Sequence, residues 1–93
     1  MIAVRDGKSY LIDCKVCSRG RFPFSRIEDN QHTAMRAWQE SGNGTGWFAL
    51  KCEGYIFMLD YDTLKRLSKT QSSISFKDMC FYGRVLEAWV VFA

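Results

Sequence analysis

The sequence predicts an α/β fold in which a helix crosses over a mixed β-sheet, and three local signals carry that expectation. Asp6-Gly7-Lys8 divides two extended runs, a tight-turn signal between strands. Across residues 25 to 41 the apolar positions recur at helical spacing rather than alternating. A second hairpin pattern then appears, with Glu53-Gly54 between Gly46-Trp47-Phe48-Ala49-Leu50-Lys51-Cys52 and Tyr55-Ile56-Phe57-Met58-Leu59.

Composition bounds the rest. At 93 residues, 47% hydrophobic and 25% charged, the chain suits one small domain spanning residues 1–93, and 15% aromatic content argues against disorder. A chain this short buries a modest fraction of its surface, so an uncovered apolar side favours a partner chain. No apolar run approaches the length of a membrane span, and Met1-Ile2-Ala3-Val4 before Arg5-Asp6 is too short for a signal peptide; the expected location is the cytoplasm, without a membrane partner.

Four cysteines stand at 14, 17, 52 and 80. Cys14 and Cys17 have CxxC spacing, but on a strand they face opposite sides, and neither Cys52 nor Cys80 belongs to a second close pair. Reduced, mostly buried thiols are expected. The net charge is +3, unevenly spread: Lys15, Arg19, Arg21 and Arg26 fall within twelve residues without an intervening acid. Such a cluster suits an anionic partner, or is simply a solvated basic loop.

Taken in order, residues 2–5 and 9–17 read as paired strands. The second is apolar on both faces, as in a central strand covered on each side. Within Tyr10-Leu11-Ile12-Asp13-Cys14-Lys15, alternation puts Asp13 and Lys15 on one face and Ile12 and Cys14 on the other. A carboxylate able to hold a divalent cation then stands beside a lysine able to offset charge at phosphorus; the bland alternative is a strand-end ion pair.

Ser18 to Phe24 contains the only proline and reads as an exposed loop. Its arginines can fork onto phosphates; Phe22 and Phe24 can stack on bases or anchor the loop on the core. Ser25-Arg26-Ile27-Glu28 fits a capping box. The helix it would start has Ile27, Gln31, Ala34, Met35 and Trp38 on its inner stripe and stops near Ser41-Gly42-Asn43-Gly44. Gln31 is the polar residue on that stripe and must find partners or face a ligand. After this crossover the strand from residue 46 should run parallel to the 9–17 strand. Asp60 can cap a short helix from Tyr61 to Leu67, with Leu64 and Leu67 inward. Ser75 to Asp78 suggests a single turn, and Val85 to Phe92 a last strand at an edge or interface.

Tyr10-Leu11-Ile12-Asp13-Cys14-Lys15, Arg21-Phe22-Pro23-Phe24-Ser25-Arg26-Ile27, Gln31, the Gly44-to-Leu50 strand and Ser73-Ile74-Ser75-Phe76-Lys77-Asp78 together resemble RecU-type Holliday junction resolvases, in order over roughly residues 7 to 79. The resemblance implies a restriction-endonuclease-like, PD-(D/E)xK mixed sheet with a crossover helix, lacking the family's leading helix and first strand. It implies magnesium-dependent endonuclease action on branched DNA, a four-way junction, in recombination and repair, by a homodimer. Asp13, Lys15 and Gln31 would be the catalytic residues. Asp13 and the Cys14 backbone carbonyl would hold Mg2+, and Arg19, Arg21, Phe22, Phe24 and Arg26 would contact DNA.

Two departures stand out. Asn30 precedes Gln31 where the family often has histidine, and His32 follows it. The family's other metal-binding aspartate falls at or just before Met1, and Asp6, at the far end of the hairpin, is poorly placed to replace it. One carboxylate leaves magnesium mostly water ligands. Two readings therefore stand: a junction endonuclease, or a catalytically incomplete DNA-binding or protein-interaction domain derived from that fold.

Overall fold

A computed structural model describes residues 1–92 of the chain. Two strands open it, β1 (Ile2–Arg5) and β2 (Lys8–Val16), paired antiparallel with Arg5 opposite Lys8. The turn between them has positive φ at Asp6 (52°) and Gly7 (77°), the twist that matches a two-residue hairpin. Strand β3 (Arg21–Pro23) and a 3₁₀ turn at Phe24–Arg26 precede helix α1 (Asp29–Trp38) and a wide turn at Gln39–Asn43. Next come β4 (Trp47–Cys52), β5 (Tyr55–Asp60), α2 (Tyr61–Leu67), β6 (Ser73–Ser75), α3 (Phe76–Tyr82), β7 (Arg84–Val85) and α4 (Leu86–Phe92).

The fold is mixed α/β. Its sheet has five strands in the order β1-β2-β4-β5-β7, with β2 and β4 parallel and the other neighbours antiparallel, while β3 and β6 form a separate two-stranded ribbon. Register fixes the faces. Asp13 lies opposite Phe48 and Lys15 opposite Leu50, so these four share one face with Leu59 and Phe57 of β5. That face buries Phe48, Leu50, Phe57 and Leu59 against Met35 of α1, Tyr61, Leu64 and Leu67 of α2, Met79 of α3, and Phe22 and Ile74 of the ribbon. The second face buries Tyr10, Ile12, Ala49 and Met58 under Trp89 of α4.

Several local expectations match the structure. The Asp60 carboxylate accepts from the Thr63 amide (3.0 Å), capping α2. The single turn expected at Ser75 is the start of a seven-residue helix, whose Ser75 hydroxyl accepts from the Asp78 amide (3.2 Å) while Asp78 accepts from the Ser75 amide (3.2 Å). That Ser75 amide, with the Ser75 hydroxyl and Gln71 adding to it, holds the Asp78 carboxyl below its usual range.

Two expectations are corrected. Ser25 does not cap the crossover helix: residues 24–26 form a 3₁₀ turn, Ile27 is extended, and α1 begins at Asp29 with Gln31 Oε1 accepting from the Glu28 amide (2.9 Å). Pro23 and the buried Phe22 and Ile27 tie this segment to the ribbon and core, and that packing delays the helix by one turn. The last strand is also shorter than expected. Only Arg84–Val85 pairs with β5, and Leu86–Phe92 is helical, because the i, i+3 pair Leu86 and Trp89 can cover the second face only as a helix.

Gly46 holds α1 down. A Cβ there would collide with Met35 Sδ, and Met35 is itself buried in the core. Gly46→Ala is therefore expected to cost about 1–3 kcal/mol in urea unfolding through overpacking. The penalty should shrink in a Met35→Ala background, as coupling between touching residues requires.

Candidate functional site

Asp13 and Lys15 reach the same side of β2 by strand alternation, and β4 beside them presents only apolar residues to that side. Lys15 Nζ lies 3.8 Å from Asp13 Oδ1, and the two side chains are 15% and 23% exposed. An ion pair this shielded sits where an apolar pair would cost less to bury.

At Asp13 opens a groove of about 370 Å³, lined by Met1, Leu11, Ile12, Asp13 and Cys14 on the sheet side and by Asn30, Gln31, Ala34 and Met35 from α1. The register explains how Cys14 takes part although its thiol is exposed on the opposite face. Ile12 exchanges both backbone bonds with Met1, its amide donating to the Met1 carbonyl (2.8 Å) and its carbonyl accepting from the Met1 ammonium (3.0 Å). Backbone groups two residues apart on a strand point the same way, so the Cys14 carbonyl faces the β1 edge just past Met1. Asp13 and Gln31 thus come together with the Cys14 backbone around one groove. Asp6 does not join them, since it closes the hairpin at the opposite end of β2.

Gln31 is half-buried and its Oε1 is engaged by the Glu28 amide, which leaves its amide N–H groups for a ligand. His32 points elsewhere: its Nδ1 is 2.7 Å from the Tyr61 hydroxyl, a group whose pKa burial pushes up. Asn30 and Ala34, which the sequence did not single out for the site, belong to the groove; Ala34 was legible on the inner stripe, while Asn30 follows from the late start of α1.

The basic segment is more ordered than a loop. Ser18 and Arg21 exchange backbone hydrogen bonds of 3.0 and 3.1 Å around Arg19 (φ 55°) and Gly20 (φ 69°), a tight two-residue turn like that at Asp6-Gly7. It follows directly on β2, so Arg19 stands some six residues beyond Asp13, about 13 Å or more along the strand direction. Arg21 donates to the Ser73 hydroxyl (2.9 Å), and Arg26 donates to the Val16 carbonyl with its guanidinium 5.3 Å from the Phe22 ring centre. All three arginines remain exposed.

The phenylalanines divide. Phe22 is fully buried, so base stacking by Phe22 is corrected to anchoring of the ribbon on the core; Phe24 is half-buried and packs against that core. The thiol expectation is corrected too, since Cys52 alone is fully buried while Cys14 and Cys80 are exposed. Among the described residues no three His, Cys, Asp or Glu side chains gather as a metal cage, and no helix is long and apolar enough to cross a membrane. For a divalent cation the groove thus offers one carboxylate and one backbone carbonyl, a set that fits magnesium only when phosphate and water complete it.

Arginine is a poor residue for a left-handed turn position, which asparagine tolerates. Arg19→Asn should accordingly raise stability by about 0.5–1 kcal/mol. If Arg19 contacts phosphate, the same change should weaken DNA binding on all sequences alike and lower the salt slope by about one, measured by titration at several salt concentrations.

No protein-family model matches the chain, and comparison with curated proteins gives no match either.

Proposed function

We propose that this chain is a restriction-endonuclease-like domain that binds branched DNA and cleaves it with magnesium, acting as a homodimer on a four-way junction. The observation that carries the reading is the shielded Asp13–Lys15 pair on β2, whose Asp13 lines the groove. Lys15 supplies a fixed cation where a phosphodiester gathers negative charge, and Gln31 can donate its amide N–H groups to a phosphate oxygen. Asp13 and the Cys14 carbonyl would hold Mg2+, which when bound polarises the phosphate and makes water acidic enough to attack. Arg19, Arg21 and Arg26 extend the positive surface beyond the end of β2. The exposed Ile2 and Val4 on edge strand β1 give a second copy an apolar side to cover.

The test is incubation of the chain with a labelled four-way junction and a linear duplex, with magnesium or with EDTA. Nicking of the junction in magnesium alone is the expected result. Binding without nicking would leave the catalytically incomplete DNA-binding reading. Loss of binding even at low salt would remove both and favour a protein-interaction module, for which Phe81, 80% exposed and edge-on to Tyr82 at 4.8 Å, is the observation.

A further inference from the structure

At the far end of the β2–β4 seam, beyond the groove, two thiols meet. The parallel ladder runs from Ile12 opposite Trp47 to Val16 opposite Lys51, and the Cys17 amide continues it by donating to the Lys51 carbonyl (2.9 Å). The next step sets Cys17 beside Cys52. Alternation puts both on the face that carries Asp13, Lys15, Phe48 and Leu50, and both pack in the same apolar cluster. Adjacent strands stand about 4.7–4.9 Å apart, inside the Cα separation of roughly 4.4–6.8 Å that a disulfide spans. Cys14 and Cys80, by contrast, are exposed.

We propose that Cys17 and Cys52 are a latent disulfide pair, closed by a low-molecular-weight disulfide of the oxidised-glutathione class and reopened by thiols. Cys17, half-buried, is reached first, whereas Cys52 is 3% exposed. The Cys17 thiolate attacks one sulfur of the oxidant; that S–S bond breaks, and one glutathione thiolate leaves and takes up a proton. Cys52 then loses its proton to solvent and attacks Cys17 Sγ, forming the protein disulfide and expelling the second glutathione. Two protein thiols are oxidised while one disulfide is reduced to two thiols. Burial first, and Cys52 beside it, push the Cys17 thiol up to about 12, with the Arg26 guanidinium opposing. The pair is therefore a slow, equilibrium lock rather than a fast sensor. Closing it staples residues 17 and 52 across the parallel seam, at the root of the Arg19 turn. The inference is independent of the nuclease reading.

The experiment uses the full chain carrying Cys14→Ser and Cys80→Ser, reduced, then equilibrated with oxidised glutathione under native conditions, alkylated and mapped by mass spectrometry. Both remaining thiols should disappear together, with a Cys17–Cys52 peptide linked within one chain, no retained glutathione, no disulfide between chains, and a melting temperature raised by about 10 °C and restored by dithiothreitol. A chain that also carries Cys17→Ser should show no shift. A stable glutathione adduct on Cys17, a disulfide between chains, survival of both thiols in excess oxidant, or a shift in the Cys17→Ser chain would overturn the proposal.

Discussion

Asp13→Asn is expected to leave the fold intact and to lower magnesium-dependent nicking of a junction by at least about a hundredfold, the scale of removing one charged group from a phosphoryl-transfer site. The amide keeps the shape of the carboxylate but neither holds a hard cation nor neutralises Lys15. In EDTA the variant should bind DNA as tightly as the parent or more so, because a negative charge facing phosphate has gone. Lys15→Ala should do the opposite and weaken binding. Asp13→Ala is the less clean choice. It leaves the Lys15 ammonium, 15% exposed, without its partner at 3.8 Å and should cost about 1–2 kcal/mol of stability, less than the 3–5 of a fully buried pair. An Asp13→Asn chain that nicks at the parental rate would show the pair to be structural.

Phe22→Ala carries the largest expected loss of stability, about 3–5 kcal/mol, measured as a fall in the urea midpoint at constant slope. The ring is completely buried on the ribbon β3–β6, among the residues that join the ribbon to the main sheet, and Arg26 lies across it. A domain of this size holds only some 5–15 kcal/mol in total, so the variant should be partly unfolded at physiological temperature. Phe24→Ala, at a half-buried position, should cost about 1–2 kcal/mol. Weaker DNA binding by Phe22→Ala with unchanged stability would instead show the ring to be a base-stacking group.

The framework was legible because it rests on local chemistry. Asp6-Gly7 and Glu53-Gly54 are turn dipeptides whose positive φ values the structure shows, and the Asp60 cap and the inward Leu64 and Leu67 follow from spacing alone. Asp13 and Lys15 were placed on one face by alternation. What was not legible depends on tertiary packing. The Arg19-Gly20 turn has glycine where it is needed but arginine where asparagine or aspartate would announce it. The run Val85 to Phe92 is apolar enough for strand or helix, and only the need to cover Tyr10, Ile12, Ala49 and Met58 decides for the helix. Phe22 and Phe24 look alike in sequence; the ribbon pairing of Phe22 with Ile74 separates them.

The parallel seam has a kinetic meaning. The hairpins β1–β2 and β4–β5 close over two-residue turns and can form within microseconds, but the seam joins Ile12 to Trp47, with the ribbon's first strand and α1 between them. Closing that long loop is the entropically costly event, and contacts of this separation slow folding. Asp13 lies at the seam and Gln31 on the helix that spans it, so neither hairpin alone contains the groove. The groove is thus assembled in the same step that completes the sheet, and a chain caught with both hairpins formed and the seam still open would have no site at all.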